Sequence, residues 1–289
     1  MRGWWQDLTD LVLPAECGGC GRPRTVLCAE CRAALGGAVP SRVRPVPEPP
    51  GLPSVHAAAP YADEVRAVLL AHKERGALPL ARPLGAALAG AVRAALSGAP
   101  DRAALLVPVP SGRGAVRARG HDPARRIALA AAAELRRAGT PARVLAVLRQ
   151  RRPVADQAGL AAQQRLENLT GALSVASGGA GLLREGRVVL VDDLMTTGAS
   201  LSEAARAVRV ALTGETAGYR GGAAATRADV ARAVYGGVIG ERSGERMTGS
   251  MEGSTDREWA VQGKMKSVQE TICAAVVAAP PDSFEINRN

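Results

Sequence analysis

Four aliphatic residues at positions 188–191 pass directly into Asp192 and Asp193, and this feature constrains the fold of the 289-residue chain most strongly. A short apolar run without polar alternation is typical of a strand that is buried on both faces of a parallel sheet. Two adjacent acids then mark the point where the chain leaves the core. A turn and a helical pattern over residues 200–212 follow, so the segment predicts a strand-turn-helix unit.

Similar units recur along the chain. Hydrophobic spacing predicts helices over residues 61–76, 83–96, 123–139, 158–169 and 200–212, with Asp122 as an N-cap before Pro123. Short apolar runs predict strands over residues 104–107, 144–148, 187–191 and 272–279. Strands that alternate with helices imply right-handed crossovers. The sequence therefore predicts an α/β fold, in which a parallel sheet is covered by helices on both faces.

The residues after strand 187–191 have the chemistry of a site for a sugar phosphate. Asp192 and Asp193 would lie at the carboxyl edge of the sheet, where open α/β folds bind ligands, and carboxylates there can accept hydrogen bonds from ribose hydroxyls. Backbone N–H groups of the turn and the positive end of the helix dipole favour a phosphate. The turn adds three hydroxyls and a glycine that permits close approach: Thr196, Thr197, Ser200 and Gly198. We expect a ribose 5-phosphate group to bind here, since an ordinary capped helix would not explain two adjacent acids.

The formal net charge is +10, and most of the excess lies between residues 113 and 152. This stretch contains eleven arginines against two acids: Arg113, Arg117, Arg119, Arg125, Arg126, Arg136, Arg137, Arg143, Arg149, Arg151 and Arg152. The guanidinium fork matches phosphate oxygens, so such a cluster suits a pyrophosphate or a nucleic-acid backbone. The alternative for any one of these arginines is a solvated helix face.

Four of the five cysteines form two Cys-x-x-Cys pairs, Cys17 with Cys20 and Cys28 with Cys31. Four thiolates at this spacing can surround one zinc ion tetrahedrally, and four protein ligands leave no open position for catalysis. Disulfides are the alternative, which a reducing compartment disfavours. The pattern therefore predicts a structural zinc. Cys273 stands alone in an apolar run and is predicted to be a core residue.

Composition divides the chain into three parts. Residues 1–38 form the four-cysteine module, residues 39–54 a proline-rich linker and residues 55–289 the main domain. Within the main domain, residues 213–270 contain eleven glycines and no sustained periodicity, which suggests an insertion, a disordered excursion or a sequence error. No apolar stretch is long enough to cross a bilayer, and Asp7 and Asp10 interrupt the first segment. We therefore expect a cytoplasmic protein without membrane insertion.

In combination these motifs resemble the ComF family of competence-related proteins, which have a type I phosphoribosyltransferase-like fold. The Asp-Asp-Leu-Met-Thr-Thr-Gly-Ala-Ser segment is similar to the family's phosphoribosyl pyrophosphate motif, and the four cysteines are similar to its N-terminal zinc module. The further matches are Tyr61, Arg66, Lys73 and Gly76 in one helix, Val-Pro-Val-Pro at 107–110, Arg-Ala-Arg-Gly at 117–120, and Gln157, Arg165 and Asn168. The resemblance covers residues 17–212 and resumes at residue 272.

The resemblance implies that the ligand is phosphoribosyl pyrophosphate, bound with Mg²⁺. Residues 107–111 would face the pyrophosphate, and residues 112–122 would form a flexible loop that closes over it. Asp192 and Asp193 would be the catalytic pair that organises charge and water. The implied binding residues are Lys73, Pro110, Ser111, Arg117, Arg119, Asp192, Asp193, Met195, Thr196, Thr197, Gly198, Ala199 and Ser200. Lys73 is equally consistent with an ordinary charge on a helix surface.

The chain departs from the family in this loop, which commonly reads Arg-Gly-Phe-Asn-Gln, because residues 119–123 are Arg-Gly-His-Asp-Pro. The acceptor pocket is therefore not defined by the resemblance. His121 invites a role in proton transfer, but a loop histidine without an evident partner is more often a surface residue, which is the expectation here.

Three functions fit this sequence. The first is a phosphoribosyltransferase that acts on a nitrogen acceptor and releases pyrophosphate. The second is a protein that grips single-stranded DNA during uptake, although the sequence lacks the interleaved aromatic residues on which bases stack. The third is a sensor that binds phosphoribosyl pyrophosphate without turnover. A homodimer is consistent with the fold class.

Overall fold

The computed structural model describes residues 16–97, 102–152, 164, 168–218 and 272–284. In these parts of the chain eight strands and seven α-helices confirm the α/β class. The strands are β1 Ser41–Val43, β2 Val55–Pro60, β3 Ala104–Pro108, β4 Ala142–Val144, β5 Leu148–Gln150, β6 Leu173–Val175, β7 Arg187–Leu194 and β8 Ile272–Ala279. The helices are α1 Ala29–Gly36, α2 Asp63–Lys73, α3 Ala81–Ala95, α4 Arg113–Arg119, α5 Pro123–Arg137, α6 Gly179–Leu183 and α7 Ala199–Gly218. No helix among the described residues is long and apolar enough to cross a membrane.

The main sheet has six strands in the order β1-β2-β8-β7-β3-β4. All neighbouring pairs are parallel except β1 and β2, so the predicted parallel sheet is confirmed with one antiparallel edge. Strands β5 and β6 form a separate antiparallel pair. Strand β7 is central because it lies between β8 and β3, and it therefore carries its C-terminal residues to the middle of the sheet edge.

Successive residues of β7 pack into two separate hydrophobic cores, one on each face of the sheet. Val189 and Val191 contact the core that contains α2, α3 and α5. Val188 and Leu190 contact the core that contains α7 and the β5–β6 pair. This two-sided burial explains why the run is apolar at every position.

Helices α3 and α5 approach each other closely at Gly85. A Cβ atom on Gly85 would lie 2.4 Å from the Cβ of Ala130, so the glycine is required by packing. The helix α5 begins as its sequence predicts, since the carboxylate of Asp122 accepts a hydrogen bond from the backbone N–H of Arg125 at 3.2 Å. This cap also fixes the point where the preceding loop enters the helix.

Three segments differ from their predicted form. The stretch predicted as a linker contains β1, an edge strand of three residues that ends before Pro45, since proline cannot continue a ladder. The predicted strand 144–148 is divided between two strands, β4 and β5, and its apolar run is continuous because Val147, between them, and Leu148, at the start of β5, are both buried. The stretch expected to be a flexible loop contains the helix α4.

Helix α7 extends to Gly218, six residues beyond its predicted end at 212. Only residues 213–218 of the segment predicted to be irregular are therefore described, and residues 219–270 lie outside the described part. The predicted helix 158–169 also falls mainly outside it, and with it Gln157 and Arg165.

Candidate functional site

Asp192 and Asp193 lie in the last three residues of strand β7, beside the end of β3. The two strands pair in parallel up to Pro108 opposite Val191, and the N–H of Val109 donates to the carbonyl of Val191 at 2.9 Å. After β3 the chain returns to the sheet as β4, on the far side of β3 from β7. After β7 it returns as β8, on the far side of β7 from β3. Open α/β sheets bind ligands where the strand order reverses in this way. Pro110 and Ser111, which follow Val109, are thus brought to the same edge as the two acids.

The turn after β7 presents backbone and hydroxyl groups at the N-terminus of helix α7. The N–H of Met195 donates to the carbonyl of Ala278 at 3.0 Å, and the side chains of Met195 and Ala199 are buried. These two residues can therefore contact a ligand only through their backbones. Thr196 is exposed, while Thr197 and Ser200 are half-buried. The first N–H groups of α7 lack intrahelical acceptors by geometry, so this turn suits an anion.

Gly198 has a conformation and a packing environment that exclude other residues. Its φ is +74°, in the left-handed region. A Cβ atom there would also lie 3.2 Å from both methyl carbons of Leu52 and 3.3 Å from Pro45. The turn is therefore held against the segment that precedes β2, which fixes the position of the helix N-terminus.

The two aspartates have different partners. The ammonium of Lys73 lies 2.9 Å from Oδ2 of Asp193, whose side chain is 7% exposed. The carboxylate of Asp192 accepts the N–H of Asp193 at 2.9 Å. Burial and the charge of Asp193 raise the pKa of Asp192 well above its usual range. Burial alone would lower the pKa of Lys73, but the charges of Asp193 and Asp192 outweigh it and raise that pKa.

Lys73 belongs to a group of three consecutive residues at the C-terminal end of α2 that contact the site and the loop 112–122. The neighbouring Glu74 forms an ion pair with Arg119, with 3.0 Å between Oε1 and the guanidinium nitrogen. Arg117 is exposed to solvent. The structure therefore brings Lys73 to the carboxylates and Arg119 to an acid of the protein, and Arg117 makes neither contact within the described part of the chain.

His121 is buried, with 8% of its surface exposed, so the expectation of a surface residue was wrong. Its ring packs against that of His72, with 5.5 Å between the ring centroids. Sequence reasoning also missed Glu74 and His72. Their proximity to Lys73 along the chain was the available signal, but nothing in the sequence indicates that the loop 112–122 docks at this end of α2.

Most of the arginine cluster is engaged within the protein. Six of the eleven side chains contact acids or carbonyl oxygens of the described residues: Arg119, Arg136, Arg137, Arg143, Arg149 and Arg152. Arg136, for example, donates to the carbonyl of Ala142 at 2.8 Å. Some of these contacts join distant segments, as Arg152 to Asn168 does, whereas others are local, as Arg137 to Glu134 is.

The four N-terminal cysteines form a candidate metal centre. The sulfur atoms of Cys17, Cys20, Cys28 and Cys31 all lie within 4.8 Å of one another. The Sγ atoms of Cys20 and Cys28 are 3.6 Å apart, close to the ~3.8 Å that tetrahedral zinc with ~2.3 Å Zn–S bonds requires. These cysteines can hold a structural ion such as zinc.

The local backbone favours the thiolate form of one of these cysteines. Burial alone would raise the pKa of Cys17, but the backbone N–H groups of Cys28, Cys20 and Gly19 stabilise its thiolate and lower the pKa to about 6. Cys17, Cys28 and Cys31 are buried and belong to the same hydrophobic core as Leu80. Gly18 permits this packing, because a Cβ there would lie 2.6 Å from Leu80. The cysteine module is thus joined to the main domain.

Comparison with protein-family models and with curated proteins finds no match to this chain.

Proposed function

We propose that the protein binds phosphoribosyl pyrophosphate at the carboxyl end of β7 and transfers its phosphoribosyl group to a nitrogen acceptor. The observation that carries the proposal is the meeting of two aspartates, a lysine and a helix N-terminus at the point where the strand order reverses. Each part matches one part of the ligand. The N-terminal turn of α7 suits the 5-phosphate, and the aspartates suit the ribose hydroxyls.

The resemblance of the motif to ComF-type phosphoribosyltransferase-like proteins supports the same ligand. Mg²⁺ is expected to enter with the pyrophosphate, since it prefers oxygen ligands and retains water. The residues of this chain would then contribute position and charge: the turn fixes the ribose 5-phosphate, and the carboxylates organise its hydroxyls and nearby water. Catalysis of this kind depends mainly on orientation and electrostatic stabilisation of the charge that develops at the anomeric carbon.

The binding test is calorimetric titration of phosphoribosyl pyrophosphate with Mg²⁺ into the wild type and an Asp192→Asn/Asp193→Asn double variant. We expect the double variant to bind at least about 10-fold more weakly, because two carboxyl groups that accept hydrogen bonds are replaced by amides. Glu185→Gln is the matched control, since Glu185 precedes β7 at the opposite end of the sheet. Equal affinity of the wild type and the double variant would contradict the site.

Turnover is tested separately from binding. The wild type is incubated with phosphoribosyl pyrophosphate, Mg²⁺ and a panel of nucleobases and other nitrogen acceptors, and pyrophosphate is measured. Release with one acceptor supports the transferase. Tight binding without release across the panel would instead favour a sensor of the same ligand.

A further inference from the structure

Three consecutive residues at the end of α2 bind three different groups. The carbonyl oxygen of His72 lies 3.2 Å from Nε2 of His121, Lys73 binds Asp193 at 2.9 Å, and Glu74 binds Arg119 at 3.0 Å. One of these contacts is made by Arg119, the last residue of α4, and another by His121, which lies between α4 and α5; the third is made by the end of β7. The end of α2 therefore connects the arginine-bearing loop to the acids of the candidate site.

His121 is the buried residue of the loop in these contacts. Its Nδ1 lies 3.1 Å from the carbonyl of Arg119, within its own loop, while Nε2 reaches the carbonyl of His72 on α2. His72 is fully buried, and its own Nδ1 lies 3.3 Å from the carbonyl of Ala77. The ring of His121 thus links two chain segments in an environment that contains little water.

Both ring nitrogens of His121 lie next to carbonyl oxygens, which are hydrogen-bond acceptors. A carbonyl oxygen only accepts hydrogen bonds, so the bond to His72 requires a proton on Nε2 of His121. The Nδ1 contact is local to the loop and does not join it to α2. Of the two ring contacts, the one through Nε2 is therefore the one that joins the loop to α2, beside the ion pair of Glu74 with Arg119. An aromatic ring of similar size without nitrogen would fill the space but could not form this bond.

We infer that His121 is a positioning residue, whose Nε2–H fastens the loop of residues 112–122 to α2 and so fixes Arg119 relative to Lys73 and Asp193. This inference rests on the proposed function, because its consequence concerns the pyrophosphate half of the ligand. The loop carries Arg117 and Arg119, whereas the 5-phosphate and ribose would be bound by β7 and the turn before α7. Undocking the loop should weaken contacts to pyrophosphate and leave those to ribose 5-phosphate intact.

Three substitutions separate hydrogen bonding from packing. His121→Phe keeps a ring without donors, His121→Gln places an amide N–H near the position of Nε2, and His121→Asn places one near Nδ1. Each variant and the wild type are titrated by calorimetry with phosphoribosyl pyrophosphate and, separately, with ribose 5-phosphate, both with Mg²⁺. Thermal unfolding is recorded for each protein.

We expect His121→Phe and His121→Asn to bind phosphoribosyl pyrophosphate about 10-fold more weakly, as for the loss of one buried hydrogen bond. His121→Gln should restore most of the affinity, and ribose 5-phosphate should bind equally to all four proteins. The inference is overturned by unchanged or tighter binding of phosphoribosyl pyrophosphate in the Phe and Asn variants. A parallel loss for both ligands would also overturn it, since that result indicates only a structural role.

Docking is also measured without a ligand. Limited trypsin digestion, followed by mass spectrometry, reports cleavage after Arg117 and Arg119, with the exposed Arg24 as the internal standard. Faster loop cleavage in the Phe and Asn variants but not in the Gln variant supports docking through Nε2, and equal rates in all proteins contradict it. If the wild type binds neither ligand, the proposed function fails while the digestion still decides whether His121 docks the loop.

Discussion

The ammonium of Lys73 lies 2.9 Å from one carboxylate oxygen of Asp193 and 3.3 Å from the other, across 120 positions of sequence. The carboxylate is almost fully buried, whereas the lysine side chain remains 34% exposed. This ion pair fixes helix α2 to the end of the central strand. It also places a cation next to the two adjacent acids, where it offsets part of their mutual repulsion.

Replacing Lys73 should destabilise the folded protein, because the carboxylate of Asp193 would be left buried without its partner. For Lys73→Met we expect the free energy of unfolding to fall by about 2 kcal/mol, less than for a fully buried pair because the lysine is partly solvated. Lys73→Arg keeps the charge and should lose less than half as much. Urea denaturation of the three proteins checks this, and equal losses for the two variants would contradict it.

Asp192→Asn should alter how stability depends on pH. Because the pKa of Asp192 is raised in the fold, the folded state favours its neutral form, so wild-type stability falls as pH rises from the usual aspartate value towards the folded pKa. The asparagine variant lacks this loss and should gain stability relative to the wild type over that interval. Urea denaturation from pH 4 to pH 8 measures the difference, with Asp282→Asn as the exposed aspartate control. Parallel curves for the wild type and Asp192→Asn would contradict the raised pKa of Asp192 in the folded protein.

The cysteine cluster should hold one zinc ion per chain when the protein is purified without chelator. Cys17→Ser should lose the metal and unfold at a temperature lower by roughly 5 °C, which corresponds to about 2 kcal/mol for a domain of this size. Cys273→Ser is the matched control, because Cys273 is also buried but lies in β8, apart from the cluster. Elemental analysis and thermal unfolding provide the measurements. Retention of zinc by Cys17→Ser would show that this cysteine is not a ligand.

A buried carboxylate on α7 should prove important for the packing of the β5–β6 pair. Glu203 accepts the N–H of Leu173 at 2.9 Å and binds Arg206 at 2.6 Å, while Arg206 donates to the carbonyl of Leu173 at 3.0 Å. We expect Glu203→Ala to lower the free energy of unfolding by about 3 kcal/mol, because it leaves the buried N–H of Leu173 without its acceptor and removes the carboxylate that pairs with Arg206.

The matched control is Glu185→Ala. Glu185 pairs with Arg143, and both of these side chains are about half exposed, at 48% and 45%. An exposed ion pair contributes less than about 1 kcal/mol. Chemical denaturation of both variants compares the two environments, and similar losses would show that the buried network adds no more than the surface pair.

The sequence predicted the elements whose pattern is local. The apolar run at 188–191 is the central strand, and Asp122 caps α5 as expected. The spacing of the four cysteines also predicted their convergence, since two Cys-x-x-Cys pairs seven residues apart can reach a common point through a short loop. In each case the determining interactions lie within about one turn or one loop of the residues concerned.

The remaining features depend on contacts between distant segments. Strand β1 forms in a proline-rich stretch because the edge of β2 is open to it, and the run 144–148 divides because its two halves join different sheets. The intrinsic strand propensity of these residues does not reflect which strands are available to pair with them. The arginine cluster likewise suggested a cationic site for a polyanion, but Arg136 and Arg152 donate to carbonyl oxygens that the folded chain brings near.

The sequence alone determined that two acids, a hydroxyl-rich turn and a helix follow a buried strand, because these residues are adjacent and their backbone geometry is local. Only the tertiary structure decided that Lys73 pairs with Asp193, that Glu74 pairs with Arg119 and that His121 is buried against His72. These contacts join α2, the loop before α5 and the end of β7. They form because packing α2 against the sheet brings these charges together, and burial makes an unpaired polar group costly.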